Sequence, residues 1–92
     1  MKQLEIIEIC SVHADRDRLE KQISELCGQV SAASVDVDLK VYMHGFVAGE
    51  FSIHLLQEIR KKSVLKSAIG EQLAAALREF GMVNHSVWIQ RQ

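Results

Sequence analysis

Proline is missing from all 92 residues, and only two cysteines, Cys10 and Cys27, are present. Without proline there is no collagen-like repeat and no proline-rich spacer. With apolar residues at 48% and charged residues at 25%, the composition is that of a folded globular chain. Two cysteines are too few for a disulfide framework. In a reducing cytosol they stay thiols, and both read first as packing residues. An excess of charge of one sign is also missing: net charge is −1 and the pI is near 6.4. Nothing global draws the chain to nucleic acid or to an anionic membrane.

Long apolar runs are lacking too. No stretch approaches the roughly 18 apolar residues of a membrane helix. At the start, Met1-Lys2-Gln3-Leu4-Glu5, the acids Glu5 and Glu8 interrupt the apolar residues, so no signal-peptide hydrophobic region is read there. The expectation is a cytoplasmic protein with no membrane and no nucleic-acid partner. The length fits one domain, residues 1–92, with a single core. Catalytic signatures are absent: no glycine-rich phosphate loop, no placeable Ser-His-Asp pattern, and no paired carboxylates beyond Asp36 and Asp38. His13, His44, His54 and His85 show no His-x-x-x-His spacing and the cysteines no Cys-x-x-Cys, so no metal site and no cofactor is specified.

What is present is a clear alternation of periods. Residues 4–12 are rich in Ile and Val and read as a strand. From Asp15 the apolar residues Leu19, Ile23, Leu26, Cys27 and Val30 fall at helical spacing. Asp15 or Asp17 is the candidate cap, Asp17 with Glu20 has capping-box spacing, and Gly28 is a candidate stop. Val35, Val37, Leu39, Val41 and Met43 then alternate with polar residues, and Phe51, Ile53 and Leu55 repeat the pattern. Equal parity on these two strands predicts a hairpin loop over 47–49 with Gly49 at positive φ. That register sets Tyr42 across from His54 and His44 across from Ser52. A second helical stripe, Leu65, Ile69, Leu73, Ala76, Leu77 and Phe80, follows a cap at Ser63. It is expected to stop at Gly81 in the αL conformation, with Met82 packing back on the last turn. Residues 83–91 alternate again, with Val83, His85, Val87 and Ile89 inward.

The order β-α-β-β-α-β matches the split βαβ or ferredoxin-like plait: a four-stranded antiparallel sheet, the first and third strands central, both helices on one face. This α+β class hosts many functions, so function must be sought in a site. The informative place is the face without helices. The first strand is apolar on both sides, with Leu4, Ile6 and Cys10 beside Glu8 on one and Ile7 and Ile9 beside Glu5 on the other. A central strand facing water is normally polar on that side. Tyr42, His44, Phe46, His54 and Trp88 extend the same patch and are the candidate ligand or interface residues.

The expectation is a self-associating domain, a homo-oligomer that takes a small molecule or a protein partner on this face. Dimeric α+β barrels are similar in size and element order. That resemblance implies a rival, a small cofactor-independent or haem-linked enzyme using Tyr42 or His54 as acid or base under Trp88. A third option is an anion-sensing module, because Lys61, Lys62, Ser63, Lys66 and Ser67 surround the start of the second helix. Cys10 with His13 could form a thiol and base, although a strand-end cysteine is more often a small core residue. Asp36 and Asp38, on the same face of an edge strand, read as a guard against edge-to-edge pairing. The two central strands offer no aromatic on the open face for stacking on bases, which again speaks against RNA.

Overall fold

The computed structural model describes residues 1–11, 16–33, 36–59 and 66–91. Four strands, β1 (Lys2–Cys10), β2 (Val37–Met43), β3 (Glu50–Glu58) and β4 (Met82–Ile89), form one antiparallel sheet in the order β2-β3-β1-β4. Helices α1 (Arg16–Ala33) and α2 (Ala68–Leu77) complete the βαββαβ plait, with α1 over β2 and α2 over β1 and β4. The expected α+β architecture and the central place of the first and third strands are what the chain adopts.

Period-two patterning decides which residues meet the helices. Ile7, Ile9, Phe51, Ile53 and Leu55 point to them and are buried against Leu19 and Ile23 of α1 and Leu73 and Leu77 of α2. Cys27 is buried in the same core, and burial holds its thiol pKa above the usual range.

Several boundaries differ from those expected, each for a local reason. Helix α1 begins at Arg16, so Asp17 lies inside its first turn and is not a cap; Asp15 lies outside the described residues. Glu20 instead meets Arg16 one turn back at 3.4 Å. The helix runs through Gly28 to Ala33, because one exposed glycine lowers helix stability without ending it. Helix α2 is capped by Ser67, whose Oγ accepts the Gly70 N–H at 2.9 Å. The expected cap Ser63 and stripe residue Leu65 lie outside the described residues.

At its other end α2 stops at Leu77 with Arg78 still right-handed. Gly81 is not in the αL conformation; Gly49 alone among the described glycines has positive φ, at 85°. Gly81 is required for a different reason: a Cβ there would lie 2.2 Å from the Cys10 carbonyl oxygen and 2.9 Å from Ser11 Cα. Met82, expected on the last helical turn, opens β4 and is exposed on the helix-free face.

The β2–β3 hairpin keeps the expected parity but shifts by two residues. The His44 N–H donates to the Glu50 carbonyl at 2.9 Å, so residues 45–49 form the loop and Gly49 keeps its predicted conformation. Tyr42 is therefore paired with Ser52, and His54 with Lys40. The cause is visible at His44: its Nδ1 accepts the N–H groups of Phe46 and Val47 at 3.0 and 2.9 Å. This imidazole closes the turn as an Asx side chain would, and draws Phe46 out of the strand.

Candidate functional site

The helix-free face is built on β1. Leu4 lies between Leu56 of β3 and Trp88 of β4, and Ile6 lies between His54 and Ser86. Next along β1, Glu8 lies between Ser52 and Asn84, and Cys10 between Glu50 and Met82. The face thus grades from apolar at the Leu4 end to mixed polar and apolar at the Cys10 end.

The five residues predicted for this face are not brought together as one cluster. Tyr42 and His54 do meet, diagonally across β2 and β3, with ring centroids 4.6 Å apart and planes at 49°. His54 Nε2 is also 3.0 Å from Ser52 Oγ. His44 is engaged in the turn, its Nε2 3.8 Å from Glu50 Oε2. Phe46 sits in the loop, 98% exposed, and is not part of the sheet face. Trp88 lies on the far edge strand, with β1 between it and β3, about 10 Å away by strand spacing. Trp88 is 59% exposed and its Nε1–H donates to Ser86 Oγ at 3.0 Å. It does not roof Tyr42 and His54.

A depression of about 500 Å³ lies at the Cys10 end, lined by Met43, Phe51, Met82 and Val83 as well as by Glu8, Cys10, Tyr42, His44, Glu50, Ser52 and Asn84; His54 and Trp88 do not reach it. Within it Cys10 Sγ donates to Glu50 Oε1 at 3.3 Å. That hydrogen bond first, then desolvation and the carboxylate's charge, raise the thiol pKa. A nucleophilic thiol needs the opposite shift, so the site resists the thiol-and-base chemistry considered for Cys10; His13 lies outside the described residues. Among the described residues no three His, Cys, Asp or Glu side chains converge as a metal ion requires.

The other candidate, the start of α2, contains a group the sequence reasoning left unconnected. Glu5 is fully buried on the helix side of β1. Its Oε1 accepts the Ser67 N–H at 3.1 Å and the Gln3 amide at 3.4 Å, and its Oε2 accepts His85 Nε2–H at 2.8 Å. The tautomer follows from the partner, since a carboxylate only accepts.

A carboxylate therefore already occupies the amide end of this helix, where a free anion would bind. Ser67, a predicted anion ligand, has its N–H on Glu5 and its Oγ on Gly70. Lys66 is exposed, and Lys61, Lys62 and Ser63 lie outside the described residues. Gly70 makes the approach possible, because a Cβ there would fall 2.2 Å from Glu5 Oε2. The sequence carries a signal for this pair: an acid breaking the apolar side of one central strand, and a histidine at inward parity on its neighbour. No protein-family model, curated protein or solved structure matches this chain.

Proposed function

We propose that this chain is a non-catalytic, self-associating binding domain whose helix-free sheet face is covered in use by another molecule. One observation carries the reading: β1, the central strand, turns Leu4 and Ile6 to a face that neither helix covers, with Leu56 and Trp88 beside them. Facing water, that surface would be expected to be polar. The depression at the Cys10 end adds a seat for a small molecule with an apolar body and polar groups, its walls shared by Met43, Phe51, Met82 and Val83 with carboxylates, a phenol, a hydroxyl and an amide.

Trp88 is the single tryptophan and stands on this face, so its fluorescence reports occupation directly. Covering the face shifts Trp88 emission to the blue and protects it from acrylamide, either as protein concentration rises or on adding a metabolite that also raises Tm. Trp88→Ala and Tyr42→Ala weaken that association. Emission and quenching that stay those of an open indole at every concentration and with every ligand tried would remove the reading. The dimeric-barrel enzyme alternative is not favoured, because Trp88 is apart from Tyr42 and His54 and the depression excludes two of the three.

A further inference from the structure

Strand β2 is an edge of the sheet, and its free side is unusually informative. Because the His44 N–H bonds to Glu50, the even residues of β2 direct their backbone groups to β3. Val37, Leu39, Val41 and Met43 therefore turn theirs outward. The strand is poorly covered on both faces. Val41 is 41% and Met43 56% exposed on the helix side, and Tyr42 is 49% exposed on the other.

An apolar edge of this kind invites pairing unless charges forbid it. The charges present are Asp38 and Lys40, two residues apart on one face and 3.9 Å from each other. Opposite signs at that spacing are self-complementary in an antiparallel arrangement. With a two-fold axis at Leu39, Asp38 of each copy lies opposite Lys40 of the other. Val37 then lies opposite Val41, and Asp36 opposite Tyr42. Moving the axis to Asp38 or to Lys40 sets like charges against each other, which destabilises a pair.

We infer that β2 is a homodimerisation edge, pairing antiparallel with β2 of a second copy in the register centred on Leu39. The outward groups of Val37, Leu39 and Val41 then make about six inter-chain backbone hydrogen bonds. The carboxylates that turn away strands of other sequence select this one register. The two sheets join into eight strands, and the helix-free faces lie side by side, still uncovered. The inference is thus independent of what covers that face.

Charge exchange tests it. Asp38 and Lys40 side chains are 58% and 63% exposed, so variants at these positions retain the fold, which an unchanged far-UV circular dichroism spectrum verifies. By analytical ultracentrifugation the wild type sediments at twice 10.4 kDa. Asp38→Lys and Lys40→Asp each weaken self-association about tenfold, because both symmetric pairs become repulsive. An equimolar mixture of the two single variants restores a dimer, and so does D38K/K40D. A wild type that stays at 10.4 kDa overturns the inference. So does a dimer indifferent to these charges; if that dimer is also lost in Trp88→Ala, the helix-free face is the interface instead.

Discussion

Glu5 and His85 stand 80 positions apart in the chain and meet beneath the start of α2, His85 Nε2 2.8 Å from Glu5 Oε2. The carboxylate is fully buried and the imidazole nearly so. With Ser67 and Gln3 completing the set, the group is satisfied without water. It ties the first strand, the last strand and the second helix to one atom group.

Removing one member leaves a buried polar group short of a partner. His85→Leu takes one of three donors from a buried carboxylate and is expected to lower stability by about 2 kcal/mol. Glu5→Leu removes the acceptor of the Ser67 N–H, the His85 Nε2–H and the Gln3 amide and is expected to lower stability by about 3 kcal/mol. Glu5→Gln keeps an acceptor for Ser67 and is expected to be the mildest of the three. Urea denaturation followed by circular dichroism ranks them. Equal losses for Glu5→Gln and Glu5→Leu would mean that the hydrogen bonds contribute little.

The glycines divide sharply. Gly28→Ala adds a methyl that meets nothing within 4 Å on an exposed helix, and should stabilise the fold by about 0.5–1 kcal/mol. Gly81→Ala drives a Cβ against the Cys10 carbonyl and should destabilise by about 2 kcal/mol. Thermal melts of the two variants should move in opposite directions. A Gly81→Ala melt at the wild-type temperature would show that β1 and β4 do not close as tightly as described.

At the hairpin, His44 accepts the backbone N–H groups of Phe46 and Val47. His44→Ala should cost about 1 kcal/mol and speed amide exchange at Phe46 and Val47. Phe46→Ser, at a site 98% exposed, should leave stability within about 0.5 kcal/mol. Hydrogen exchange by NMR separates the two. Unchanged protection at 46 and 47 in His44→Ala would refute the turn-closing role.

Both thiols are held protonated, Cys10 by the Glu50 hydrogen bond and Cys27 by burial. Glu50→Gln takes away the carboxylate that raises Cys10, so iodoacetamide should label Cys10 faster at pH 8 in that variant, with Cys27 unchanged. For Cys27 the sign follows from linkage. A thiol whose folded pKa is raised contributes its full stability below the unfolded value, about 8.5, and loses it as pH rises through the folded one. Stability should therefore fall above about pH 9, and less so in Cys27→Ala.

Most of the architecture could be read from residue order, because period two and period 3.6 follow from geometry that tertiary packing rarely overrides. The parity of every strand, the inward turn of His85 and the positive φ of Gly49 are local properties, and all were legible. Hairpin register was not. Loops of three and five residues give the same parity, and the choice rests on an imidazole acting as a turn acceptor, a role seldom assigned to histidine. The helix ends were missed for a related reason: Gly81 serves a close approach of β1, a contact between segments about 70 residues apart. The candidate face was legible as a surface but not as a constellation, since Phe46 depended on the hairpin register and Trp88 on which strands intervene.

The carboxylate of Glu5 also sets a timetable for biosynthesis. It emerges well before its partners Ser67 and His85, which follow 62 and 80 residues later. Until they arrive, β1 holds an acid on its core side with nothing to receive it, and the sheet cannot close around an unpaired charge. The domain completes its core only when the last strand has left the ribosome. Nascent chains stopped before residue 85 should accordingly stay sensitive to protease, while full-length chains on a long tether become resistant in a single step.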